Sequence, residues 1–208
     1  VQYSLGETAM DSSEIYQAPA TATLEQEKAT EKHALYVVSP TKFSVLFLSI
    51  MGIYELYWQY RNWHGLKQNR DLKVIPALRA LFSLFFFGSL LKHINNELGD
   101  ENASRHLPVV SLTTLYVITG LVSYGSDQIA VRMEAYSALD FISLALFPVI
   151  WLILLSTQKA INLSQNAPDG ETNSRITLAN GIWIFLGALL WLTVLAGISS
   201  YIAPGIWE

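Results

Sequence analysis

Five stretches of this 208-residue chain are apolar over about the 17–25 residues that a helix needs to cross a bilayer, at residues 43–60, 75–91, 107–124, 136–156 and 176–202. A soluble core of this size would break its apolar runs with charge. Charged residues make up only 14% of the chain, against about 25% in soluble domains. These runs predict an all-α integral membrane helical bundle with five membrane segments. The alternative is four crossings plus one re-entrant or amphipathic helix. The helical domain is expected over 36–208, behind a flexible acidic tail at 1–35.

The tail is polar and rich in Ala, Thr, Glu and Gln. A short helix is expected around Thr23–His33, and Met10 is a candidate natural start. No apolar stretch follows a basic N-terminal region, so the pattern of a signal peptide is missing. Segment one has Ser39 and Pro40 at its head, a good cap and a good first-turn residue. It runs into a dense aromatic set, Tyr54, Tyr57, Trp58, Tyr60 and Trp63, followed by Arg61, Lys67, Arg70 and Lys73. Amphipathic rings favour headgroup depth, and basic loops favour the cytoplasmic side. That end is therefore expected at an interface.

Segment two carries Arg79 near its start, which permits a span with a snorkelling arginine or a surface or re-entrant element. Pro108 heads segment three. Pro148 is expected to kink or break segment four. Residues 166–170 (NAPDG) form a turn before segment five. Five crossings divide the basic residues about evenly between the two sides. If segment two stays on one side, Arg61, Lys67, Arg70, Lys73, Arg79, Lys92, Arg105, Lys159 and Arg175 gather together, but the tail is then translocated. Five crossings are the expectation.

Several pieces share a pattern: YQAP at 16–19, YVVSPTKF at 36–43, GIYELYWQYRNW at 52–63, QKAIN at 158–162, and Asn180, Gly181, Trp183, Gly187 and Trp191 in the last run. Over 36–200 the chain resembles a family of bacterial multi-pass membrane proteins, and its aromatic G-I-Y-x-x-Y-W motif is the most specific part. The resemblance implies a bacterial inner membrane. The family has no assigned activity, so the resemblance implies no site residues.

Glu55, Arg79 and Asp140 are the intramembrane charged candidates, because ionisable groups inside a membrane helix are costly and mark function or pairing. Arg79 is a natural partner for Glu55 if segments one and two form a hairpin. Asp140 is expected near an interface. The histidines His33, His64, His93 and His106 form no i, i+4 ligand pair, so no metal and no cofactor are expected. With no cysteine, disulfides and thiolate chemistry are excluded. Ser156 and Lys159 match S-x-x-K by letters only, at a helix end. No nucleotide-binding loop is present, and no basic patch suggests nucleic acid.

Thr193, Ala196, Gly197 and Ser200 have small-xxx-small spacing and form a candidate helix-packing face. The expected partners are the lipid bilayer and a membrane protein or a second copy of this chain. The function expected is that of a non-catalytic accessory, scaffolding or assembly protein. One alternative is a small oligomeric transporter or channel using Glu55, Arg79 and Asp140. Another is an intramembrane lipid-modifying enzyme using His64 or His93.

Overall fold

A computed structural model describes residues 33–133 and 138–202, within a compact unit that begins at His33. The helix expected at 23–32 and the candidate start at Met10 lie outside the described residues. Ala34 and Leu35, the last residues of the expected tail, are already buried.

All regular structure among the described residues is helical. The helices are α1 (Pro40–Ser49), α2 (Tyr54–Asn69), α3 (Pro76–Leu81), α4 (Ser83–Leu98), α5 (Val109–Arg132), α6 (Ile142–Ser164) and α7 (Leu178–Ile202). Short 3-10 turns lie at Asp100–Arg105, Ala138–Phe141 and Glu171–Asn173. Three helices, α5, α6 and α7, are long and apolar enough to cross a membrane. The five expected segments therefore divide into three long helices and two folded pieces.

Segment one is the first folded piece. The helix stops at Ser49, where Met51 and Gly52 take positive φ values of 52° and 82°. The Gly52 N–H closes the turn on the Phe47 carbonyl at 2.9 Å. Glycine adopts this conformation without the steric cost that other residues meet. The chain then doubles back: the Phe43 ring lies 5.7 Å from Tyr54 and 5.9 Å from Trp58. Sequence hydropathy reads the two arms as one span because both are apolar and only two backbone angles separate them.

Contacts along α6 give this hairpin its depth. Phe47 stacks on Phe147 at 5.2 Å, Trp151 Nε1 donates to Ser44 Oγ at 3.1 Å, and Asn162 meets Val38. The hairpin thus lies beside α6 from Asn162 to Phe147, about 22 Å at 1.5 Å per residue.

Segment two is the second folded piece. The six-residue α3 rises and α4 descends after a break at Phe82. Asn95 exchanges hydrogen bonds with Leu107, at 2.8 and 3.0 Å. A Cβ on Gly88 would touch Thr113, and one on Gly120 would touch Leu84. α4 therefore runs antiparallel to α5 and starts beside its midpoint. Both hairpins open toward one end of the bundle, called the base here. There α2 and α4 are joined by a two-pronged ion pair, Arg70 to Glu97, with both bonds 2.6 Å. Glu97 pushes the Arg70 guanidinium above its usual range, but an exposed pair of this kind stabilises little.

The long helices differ from expectation at their ends. α5 continues eight residues past the expected stop at 124. α6 begins at Ile142 rather than 136, runs on through Pro148 and ends at Ser164 rather than 156. Its last two turns carry Gln158 and Asn162, both fully buried against protein, so polarity there does not mark the membrane edge. α7 matches the fifth run, and Thr177 and Asn180 cap its start reciprocally. Only Gly187 of α7 is buried.

Candidate functional site

The base holds a non-helical strap, residues 33–39, which lies in a groove between α2, α6 and the loop before α7. Its backbone polar groups would be orphaned by burial, and buried groups must find partners. Six amide side chains supply them. Gln165 Oε1 accepts from the Ala34 and Leu35 N–H groups, at 2.7 and 3.2 Å. Asn62 takes the Tyr36 N–H at 3.1 Å, and Gln158 Nε2 donates to the Tyr36 carbonyl at 3.1 Å. Asn173 donates to the Val37 carbonyl at 3.0 Å and Asn69 to that of His33 at 3.3 Å. Asn162 bonds both sides of Val38, donating to its carbonyl at 2.9 Å and accepting from its N–H at 3.4 Å. Trp58 Nε1 completes the network by donating to Gln158 Oε1 at 2.5 Å.

Beside the strap a cleft of about 580 Å³ opens between the first hairpin and α7. Its floor is polar and cationic, formed by Tyr36, Lys42, Arg61 and Asn173. Lys42 is 6% exposed, and its ammonium donates to Asn173 Oδ1 and the Arg175 carbonyl, both at 2.7 Å. The Arg61 guanidinium lies 4.8 Å from the Tyr36 ring centre and bonds the Tyr57 hydroxyl at 3.0 Å. The wall above is apolar, built by Leu46, Ile50, Ile53 and Trp183.

Glu55 lies in the first turn of α2, next to the hairpin tip. It does not meet Arg79. The Tyr116 hydroxyl of α5 donates to its carboxylate, and Ser83 Oγ of α4 stands 3.0 Å from that hydroxyl. This seat joins three helices. Arg79 stands instead with its guanidinium 4.2 Å from the Trp63 ring centre and 4.9 Å from that of Phe86, a favourable cation–π arrangement. The reason is direction: α3 rises along the base half of α2, beside Trp63 and a full two turns from Glu55. Asp140 falls in the 3-10 turn before α6, and its side chain is outside what is described.

The aromatic set divides. Tyr57 and Tyr60 are exposed, while Tyr54, Trp58 and Trp63 belong to the core. The hairpin fold turns one face of α2 inward, so these three rings pack against protein. On α7, Thr193, Ala196 and Gly197 are exposed and Ser200 is half-buried. Gly197 also lines a second cleft of about 430 Å³ with Met51, Asp127 and Tyr201. No group of three or more His, Asp or Glu side chains among the described residues could hold a metal ion.

Sequence reasoning missed Lys42, Asn173 and the amide set. One signal was available: Gln158, Asn162 and Gln165 repeat at i, i+4 and i+7 on the end of an apolar helix, a polar stripe that needs buried partners.

Comparisons with protein-family models, curated proteins and solved structures find no match for this chain.

Proposed function

We propose that this chain is a non-catalytic accessory or assembly protein of a bacterial inner membrane, crossing it three times and inserting two helical hairpins from the cytoplasmic face. The observation that carries the reading is the seat of Glu55. A carboxylate at this depth needs a donor, and here the donor is Tyr116, in a contact that ties α2 to α4 and α5. The carboxyl group acts as a joint between the half-length hairpins and a long helix. The bacterial membrane rests on the sequence resemblance over 36–200.

Flux measurement tests the functional half. In proteoliposomes, parent and Glu55→Gln protein are both expected to conduct protons and monovalent cations no faster than protein-free vesicles. Glu55→Gln is expected to lower the melting temperature instead. A flux that is present in the parent and lost in folded Glu55→Gln would make the protein a transporter.

Charge supports the three-crossing topology. Lys42, Arg61, Lys67, Arg70, Lys73, Arg79, Lys92, Arg105, Lys159 and Arg175 belong to the base half or its loops, and Arg132 alone ends a helix at the far side among the described residues. This asymmetry favours a cytoplasmic base. With three crossings the strap shares that side. Single cysteines at Gln68, Ser104 and Asp169 are expected to resist an impermeant thiol reagent added to intact cells, while one at Met133 reacts. Opposite behaviour of Gln68 and Ser104 would restore a spanning second segment.

A further inference from the structure

We propose that the cleft between the first hairpin and α7 is a binding site for an anionic phospholipid, with the headgroup phosphate at Lys42 and Arg61 and one acyl chain along the Leu46–Ile50–Ile53 wall. Three observations point to this ligand. The first is an unspent cationic floor. An ammonium has three donors, and Lys42 uses two of them, on Asn173 and the Arg175 carbonyl. The one ion pair among the described residues is Arg70 with Glu97, so neither Lys42 nor Arg61 has a carboxylate there. A lysine buried to 6% exposure without a counter-charge is costly in a dry site, and an incoming phosphate supplies that charge through short charge-assisted bonds.

The second observation is the division of the cleft. Polar groups are confined to the base end, where Thr177 and Asn180 at the start of α7 form the rim, and the rest of the wall is apolar. From Lys42 to Ile50 the wall rises about 12 Å at 1.5 Å per residue, in the direction an acyl chain takes from headgroup to bilayer interior. Ile53 is 49% exposed and Trp183 53%. A soluble phosphate ester would use the floor and leave that wall bare.

The third is continuity with the surrounding lipid. The cleft borders α7, whose outer face is exposed along its length. A lipid could enter sideways without the protein opening.

The assignment rests on the membrane reading above. The test uses the full chain purified in mild detergent, offered phosphatidylglycerol or phosphatidylcholine at equal mole fraction and read by native mass spectrometry. The expected result is one retained phosphatidylglycerol per chain, favoured roughly thirtyfold over phosphatidylcholine, which is about 2 kcal/mol for two basic residues near an anionic lipid. Two variants carry the discrimination. Arg61→Gln changes an exposed side chain and is expected to remove most of the preference. Ile53→Trp fills the wall and is expected to lower retention of both lipids. Lys42→Met is the stronger lesion, but burial makes its folding less secure, so Arg61→Gln decides.

Equal retention of the two lipids, or a preference untouched by Arg61→Gln, would overturn the site while leaving membrane embedding intact. Glycerol 3-phosphate at millimolar concentration is expected not to displace the lipid. Displacement by it, together with indifference to Ile53→Trp, would overturn the lipid assignment in favour of a soluble phosphate ester.

Discussion

Asn162→Leu protein is expected to unfold well below the parent temperature and to lose hydrogen-exchange protection along the strap. Leucine is close to asparagine in size, so the change opens little space. What it removes is the partner of two buried backbone groups, the N–H and carbonyl of Val38, which is fully buried. Each buried group left without a partner costs about 1–3 kcal/mol, and Gln158 also loses its 2.7 Å acceptor. The two backbone groups alone come to about 2–6 kcal/mol, a large part of the roughly 5–15 kcal/mol that holds a domain together. Thermal unfolding in detergent reads the first effect. Exchange at residues 34–38, compared with exchange in α6, reads the second. An unchanged melt with Val38 still protected would mean that the strap is held by its apolar side chains alone.

Gly187→Val is expected to have the other large effect. A Cβ at Gly187 would run into the Ser49 carbonyl and Ile50 Cγ2. The first of these is backbone at the end of α1 and cannot swing aside. The same crossing carries the bond from Trp191 Nε1 to the Leu48 carbonyl at 2.9 Å. Pushing α7 outward breaks that bond and opens the contact between α1 and α7. Overpacking costs about 1–3 kcal/mol where side chains can adjust, and more is expected where backbone blocks the way.

Gly197→Val is the internal control, since a Cβ there meets nothing within 4 Å. It should leave the melt of the isolated chain unchanged. Equal behaviour of the two variants would mean that α7 does not rest on α1 through Gly187.

Much of the architecture was legible in the sequence. Helices α5, α6 and α7 show themselves as long apolar runs, because a helix facing lipid has no polar face to interrupt the pattern. The turn at residues 166–170 and the start of α1 at Ser39 and Pro40 were equally plain, since capping and turn chemistry are local. Ser39 Oγ accepts from the Lys42 N–H at 3.2 Å.

The first hairpin was not legible, and the second was legible only as the re-entrant alternative for segment two. A run such as 43–60 has the same hydropathy whether it crosses or doubles back, and only the positive φ angles at Met51 and Gly52 separate the cases. Pairing was equally hidden. Glu55 and Arg79 are close enough in sequence to suggest each other, yet Tyr116 stands 61 residues beyond Glu55 and takes the carboxylate. The cationic floor needed Lys42 and Arg61 from the two arms of one hairpin and Asn173 from more than a hundred residues on.

The sequence by itself determined that this chain is helical, that its apolar surface suits a bilayer, and which runs are long enough to span one. Those properties follow from composition and local periodicity, which each segment carries alone. Only the tertiary structure decided that the first two runs fold back toward the base, that the buried amides serve the strap, and that two cations share the floor of an apolar cleft. Each of these depends on backbone direction at a few residues and on partners from about a dozen to more than a hundred positions away, and no local pattern encodes either.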